Sequence, residues 1–485
     1  MSDIKHVSVN PILPSWEYIP DGEPRVFGDH IYLYGSHDLF NGADFCLGDY
    51  VCWSAPLADL GDWRNEGVIY RKEQDPRNKN GKMHMCAPDC VQGPDGRYYL
   101  YYQLHALQCT CVAVADRPVG PFAYYGAVQH PDGTPWGEKK GDSFAFDPGV
   151  LVDDDGKVYL YVGNSPSPGF FKTVLKLRGN RVEEAVCLEL EPDMKTVRGG
   201  EHPVVPGPAL AKGTEFEGHG FFEASSIRKV MGKYVFVYSS ILSHELCYAI
   251  SDRPDGGFRY GGTLVSIADI GYKGNTVPHN YTGNTHGGMV EVNGQWYIFY
   301  HRQTNRQKCA RQGCAEKLTI LPDGSIPQVE VTSCGLNGGP LIGKGKYEAR
   351  IACNLSGKDG TVKSDDARKK DKKNLLPYFT QSGEDREENG DQYIANLRDG
   401  AWCGFKYFEL DQLGSITVTV RGTGKGWLRV STEPKGPDIA MIPVRESSDW
   451  TESQAALWFP VSGCKTLYFT FCGTGAVDFA AFELK

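Results

Sequence analysis

The chain has no run of 18 apolar residues, so no segment is predicted to cross a membrane as a helix. Positive charge is not in excess. Against 51 Lys and Arg stand 60 Asp and Glu, and the net charge of −9 argues against nucleic acid and anionic membranes as partners. No long stretch places apolar residues at helical spacing, which excludes a helical bundle. Paired Cys-x-x-Cys sets are also missing. The 15 cysteines are scattered through strand-like segments and read as reduced, small apolar residues. Cys86 with Cys90, and Cys109 with Cys111, have ligand-like spacing but lack matching histidines. The opening Met1-Ser2-Asp3-Ile4-Lys5-His6 carries no apolar export segment, so a cytoplasmic protein is expected.

What the chain does have is glycine, tyrosine and repetition. With 58 Gly and 26 Tyr in 485 residues, an all-β protein rich in turns is expected. Phe146-Asp147-Pro148-Gly149-Val150-Leu151-Val152 followed by Asp153-Asp154-Asp155-Gly156 and Lys157-Val158-Tyr159-Leu160-Tyr161 reads as strand, tight turn, strand. The same hairpin recurs around Gly28, Gly96, Gly232 and Gly294, at intervals of roughly 60 to 76 residues. Each interval holds about four short strands, the content of one propeller blade. Five blades over residues 1–340 are therefore expected.

A polar residue precedes each turn glycine by seven to nine positions: Asp21, Asp89, Asp147, Glu223 and His286. Each lies in or beside an apolar segment, where an unpaired charge is costly. One alone reads as a turn or cap residue. In equivalent places on five blades, they are expected to converge on the axis. Crowded carboxyls raise one another's pKa values, so one keeps its proton while another is ionised, as glycosidic hydrolysis requires. Carboxylates beside His286 also suit a hard cation.

On these residues the region 5–335 resembles glycoside hydrolase family 43. Asn10-Pro11 with Pro20-Asp21-Gly22 resembles the opening motif that carries the general base. Phe146-Asp147-Pro148-Gly149 resembles the segment carrying the aspartate that tunes the acid. Phe222-Glu223-Ala224 stands where the family has its general acid. Cys86-Ala87-Pro88-Asp89 resembles Trp-Ala-Pro-Asp, and Thr285-His286-Gly287 resembles the Gly-His-Gly of an axial histidine near a bound ion, often calcium. The resemblance implies a five-bladed propeller that inverts pentosides, with Asp21, Asp147 and Glu223 catalytic. It requires no cofactor for the chemistry and allows a structural Ca2+ at His286. Gly22 replaces a proline, which leaves Glu23 as an alternative base. His37, Asp38, Asp89, His105 and Arg302 are the expected substrate contacts.

From Ile342 the composition changes. Lys358 to Asn389 is dense in charge and reads as a solvated, mobile loop. Alternation then returns in Ser415-Ile416-Thr417-Val418-Thr419-Val420 and Leu467-Tyr468-Phe469-Thr470-Phe471, a β-sandwich over 341–485. It resembles carbohydrate-binding module family 6, with Trp402 and Tyr407 as either sugar platform or core. The expected activity is exo-acting α-L-arabinofuranosidase or β-xylosidase on short oligosaccharides. A galactosidase-like member, a retaining fructosidase-type propeller and a non-catalytic glycan-binding propeller are the alternatives. Nothing in the sequence speaks to self-association.

Overall fold

Asn293 and Gly294 turn at φ 50° and 80°, the paired positive values of a type I′ hairpin, whose twist matches that of the strands it joins. Met231 and Gly232 (φ 50° and 76°) make the same turn in blade 4, while the opening hairpins of blades 1, 2 and 3 turn on one left-handed glycine each, Gly28, Gly96 and Gly156. The computed structural model describes residues 6–167, 169–364, 367–385 and 390–485.

Blade 1 consists of Glu23–Phe27, His30–Tyr34, Tyr50–Pro56 and Arg64–Tyr70, antiparallel and in sequence order. Blade 2 begins at Met85–Gln92, blade 3 at Gly149–Val152, and blade 4 at Phe221–Val230, each also four-stranded. Blade 5 has three strands, Met289–Val292, Gln295–Gln303 and Arg311–Leu318. The ring closes by a parallel bridge between Gly22 and Gly287. The N-terminal segment runs beside the last strand of blade 5. Ile12 donates its N–H to the Gly313 carbonyl, and the Asn10 amide donates to Ala315 and Glu316.

Alternation puts one face of each blade against the next, so the cores lie between blades. Val91, Tyr101 and Val112 of blade 2 pack with Val150, Leu160 and Leu188 of blade 3. Each is at most 5% exposed. A helical turn could not offer two such faces; strands of period two can.

The sandwich strands begin at Leu341–Ile342 and form one connected ten-stranded sheet. Its two long strands, Trp402–Gly422 and Ser447–Thr474, carry β-bulges near Phe405, Leu410 and Leu413, where they bend across the core. Phe405, Phe408, Phe469, Phe479 and Phe482 fill that core.

The two units are joined by buried polar contacts. Lys406 Nζ reaches Asp269 at 2.9 Å and Glu330 at 2.8 Å. Arg302 donates to the Arg350 carbonyl at 2.7 Å and to Gln312 at 3.0 Å, with its guanidinium 3.9 Å above the Phe379 ring. Arg302 therefore ties propeller to sandwich and does not face a substrate, which corrects the expectation above. Arg302→Met is expected to lower the unfolding free energy by about 1.5–3 kcal/mol, the worth of charge-assisted hydrogen bonds, with KM unchanged. Thermal melts with steady-state kinetics check this, and a raised KM at an unchanged Tm would restore the substrate-contact role.

The charged segment is also more ordered than expected. Ser364 N–H donates to the Thr282 carbonyl, and buried Asp371 accepts from the N–H groups of Leu375 and Leu376. Tyr378–Thr380 is a strand paired with Tyr393–Ala395. Backbone donors captured by a carboxylate outweigh the solvation expected of the lysines around it. Residues 365–366 and 386–389 lie outside the described residues. Tyr407 donates to Glu330 at 2.6 Å, and Trp402 packs edge-on to His279 at 5.7 Å, so both aromatics sit at the junction with the propeller.

Candidate active site

The inner strands of blades 1 to 4 enter the axis through residues in the left-handed region: Asp21 (φ 56°), Ala87 (29°), Asp147 (49°) and Ala224 (71°). Four non-glycine residues in that region, at one end of one ring, mark stored backbone strain of the kind found at functional sites. The strain turns side chains toward a cavity of about 130 Å3 on the axis. Asp21, Asp147, Glu223 and His286 line it, with Phe45, Cys46, Cys86, Phe146, Asn284 and Arg311 completing the wall. Three larger clefts of about 550 Å3 involve the sandwich or the segment leading to it and lie away from these carboxyls.

Asp21 is the charged member. Burial alone would push its carboxyl up, but Arg311 first and the Ser36 hydroxyl hold it below the usual carboxylate value. Arg311 Nη1 lies 2.9 Å from Oδ1, and Ser36 Oγ donates to Oδ2 at 2.6 Å. The Asp21 N–H donates to His301 Nδ1 at 3.2 Å, while His301 Nε2 lies 2.9 Å from the Asn284 carbonyl. His301 is therefore neutral; burial lowers it to about 3.

Glu223 behaves oppositely. Burial and then repulsion from Asp21 raise it to about 7, against the opposing pull of Arg311. Its Oε2 accepts from Asn164 at 3.2 Å. Asp147 is also pushed up, by burial and then by Glu223 and Asp21, and the Ala224 N–H at 3.0 Å is too little to offset this. The resemblance casts Asp147 as the aspartate that tunes the acid Glu223. In the structure both are raised, Asp147 in part by Glu223 itself. Burial lowers His286 to about 4, so it is neutral, with Nδ1 3.7 Å from Asp147 and Nε2 without a partner among the described residues.

The fifth aligned residue does not join this set. Asp89 is buried below the cavity, held by Arg25 on both oxygens and by the Val150 N–H at 2.8 Å. A bulge between Cys86 and Asp89 puts Ala87 at the level of Asp21 and Asp89 one layer deeper. Glu23 lies in that layer too, accepting from Arg228 at 2.8 Å and Ser226 at 3.1 Å. Asp21, not Glu23, is thus the carboxylate on the cavity wall.

Three further expectations fail for similar reasons. Asp38 accepts from Arg311 Nε at 2.8 Å and Nη2 at 3.0 Å; it orients the arginine and touches no cavity. The buried His37 ring lies 3.0 Å from the Asp49 carbonyl and 3.3 Å from Glu17. His105 accepts the His84 N–H at 2.8 Å and packs on that ring at 4.7 Å, away from the cavity wall. Asp38 and Asp89 are polar groups satisfied by partners at least 61 positions away in sequence.

Arg311 was missed altogether: it opens the strand Arg311–Leu318, whose Gln312, Glu316 and Lys317 leave a further charge without distinction in the sequence. All 15 cysteines are free thiols, and Cys109 and Cys111 accept from the Arg77 guanidinium at 3.2 Å and 2.9 Å.

Three carboxyls with divided protonation, around a cavity sized for one sugar ring on a propeller axis, are the equipment of a glycoside hydrolase. The chain belongs to glycosyl hydrolases family 43, whose model matches residues 10–326. A protein of Thermoclostridium stercorarium named xylosidase/arabinosidase is 49% identical over 479 residues, 98% of each chain. The GH43_1 enzyme from Xanthomonas citri, solved with xylose, superposes with a TM-score of 0.53 at 26% identity over 67% of this chain and 93% of its own. An arabinoxylan arabinofuranohydrolase from Bacillus subtilis, solved with cellotetraose, matches 98% of this chain and 97% of its own with a TM-score of 0.53 at 21% identity. That last likeness shows that the fold is shared along the whole chain.

Proposed function

We propose that this protein is an inverting, exo-acting pentosidase, a β-xylosidase and α-L-arabinofuranosidase acting on short oligosaccharides. The observation that carries the reading is that Asp21, paired with Arg311, and Glu223, with only Asn164 as a hydrogen-bond partner, line one small cavity. Asp21, ionised against Arg311, takes a proton from water as that water attacks the anomeric carbon. Glu223 protonates the departing glycosidic oxygen. Asp147, through the Ala224 N–H, fixes the backbone beside the acid. Phe45 and Phe146 offer apolar faces to the sugar. The small cavity supports release of terminal units, and a xylopyranosyl unit lacks the exocyclic hydroxymethyl group that a hexopyranosyl unit carries. The 49% identical xylosidase/arabinosidase supports the choice of sugars.

The chemistry needs no cofactor. His286 Nε2 is the buried atom that would take an axial Ca2+. Asp89 would not contribute, because Arg25 binds both its oxygens, whereas Glu23 keeps Oε1 without a partner among the described residues. Chelation is therefore expected to leave the base and acid in place and to cost far less than loss of either carboxyl.

The test is proton NMR of the first-formed anomer during hydrolysis of a nitrophenyl β-xyloside. Inversion gives α-xylose first; β-xylose first would overturn the single-displacement reading. The pH profile gives a second check. An acid must be protonated to act, so kcat/KM is expected to fall as pH rises through about 7, the value to which burial raises Glu223.

A further inference from the structure

On the third strand of blade 4, Glu245 and Cys247 are two residues apart and so face the same side. His219, in the turn just before Phe221–Val230, reaches over to them. His219 Nδ1 lies 2.7 Å from Glu245 Oε1, Cys247 Sγ lies 3.3 Å from the same oxygen, and Sγ lies 3.9 Å from Nδ1. Among the described residues, this is the one group of three such side chains whose ligand atoms all lie within 4.8 Å of one another.

We infer that His219, Glu245 and Cys247 form a binding site for a divalent cation of the zinc type, separate from the catalytic pocket. One nitrogen, one oxygen and one sulfur suit a borderline-soft ion. Bond lengths of about 2.0–2.3 Å in a tetrahedron put ligand atoms roughly 3.3–3.7 Å apart. The two sulfur edges are already near this, and the nitrogen–oxygen edge opens once the proton between them leaves. The ion displaces two protons to solvent, one from the Cys247 thiol and one from Nδ1 of a protonated His219. Thiolate and carboxylate then balance its two charges, and a fourth position stays open.

The surroundings are built to hold these ligands. Ser240 donates to Glu245 Oε1 at 2.6 Å and Thr263 to Oε2 at 3.0 Å. The Tyr260 ring stacks on His219 at 5.1 Å, with its hydroxyl 3.8 Å from Cys247 Sγ. Such outer partners orient metal ligands. Glu245 and Cys247 are buried while the His219 side chain is 34% exposed, so an ion enters past the imidazole. The contrast with Cys109 and Cys111 is instructive. There the fixed charge of Arg77 occupies the place a cation would take, whereas the proton on His219 can leave. Because His219 lies four residues before Glu223, a bound ion would brace the entry to the strand that carries the acid.

The experiment is titration of the metal-stripped full-length protein with Co2+, followed by visible and near-ultraviolet absorption. Expected are tetrahedral d–d bands and a sulfur-to-cobalt charge-transfer band that saturates at one equivalent and disappears when Zn2+ is added. Cys247→Ser abolishes the charge-transfer band, and His219→Ala weakens Co2+ binding at least about tenfold. A wild-type spectrum without that band, or a band that survives in Cys247→Ser, overturns the site. Should Cys247→Ser fail to fold, the more exposed His219→Ala decides alone: unchanged Co2+ affinity overturns the proposal. Neither readout depends on glycosidase activity, so this result and the catalytic reading fail separately.

Discussion

Glu223→Gln is expected to lower kcat/KM by about 10²–10⁴ on a glycoside whose leaving group needs a proton, and far less on a dinitrophenyl glycoside. The difference between the two substrates is the informative quantity. Glutamine keeps the shape of the side chain and can still meet Asn164, but it has no proton to give, so only a leaving group that departs as a stable anion escapes the penalty. The same substitution removes the first of the neighbouring groups that raise Asp147, and the fall in activity above pH 7 should vanish with it. Asp21→Ala should behave differently, losing activity on both substrates alike, because water must be deprotonated whatever leaves. Kinetics on the substrate pair with both variants check this. Equal losses on both substrates for Glu223→Gln would remove it from the acid's role.

Arg311→Met is expected to cost about 3–5 kcal/mol of stability, since it strands two carboxylates in the interior. Arg311 is 2% exposed and bonds both Asp21 and Asp38. In whatever fraction folds, the acidic limb of the pH profile should move to higher pH. The sign follows from the base being active only when ionised. Arg311 is the first of the groups that hold Asp21 down, and without it burial raises the carboxyl, so a higher pH is needed to ionise it. Arg311→Lys should recover part of the stability but leave some of that limb shift, because an ammonium cannot span both carboxylates as the planar fork does. Denaturant melts and pH-dependent kcat/KM on the three proteins check this. A normal acidic limb in Arg311→Met would mean that Asp21 does not depend on it.

The propeller was legible because its signals are local. Alternating aromatic and aliphatic residues such as Val158-Tyr159-Leu160-Tyr161 demand a strand buried on both faces, and a turn glycine at a recurring interval demands a repeated hairpin. The cavity-lining set was legible for a related reason: Asp21, Asp147, Glu223 and His286 are polar groups recurring in apolar surroundings, which a packed core does not tolerate without cause. What failed was the assumption that spacing to the turn fixes depth along the axis. Asp89 has the same seven-residue offset as Asp21, yet one bulge moves it a layer down to Arg25.

Whether a buried polar residue meets substrate or a permanent partner was decided only by tertiary structure. Asp38 and Arg311 are 273 positions apart, and Arg302 and Arg350 are 48 apart across two units. No local pattern encodes such pairings, because the free energy of a buried charge depends on which groups the whole fold brings within about 3 Å of it. Local chemistry along the chain determined the strands, the turns, the fivefold repeat and the residue types required at the axis. The folded ring alone decided which of those residues face the sugar, which carboxyl keeps its proton, and that His219, Glu245 and Cys247 meet at all.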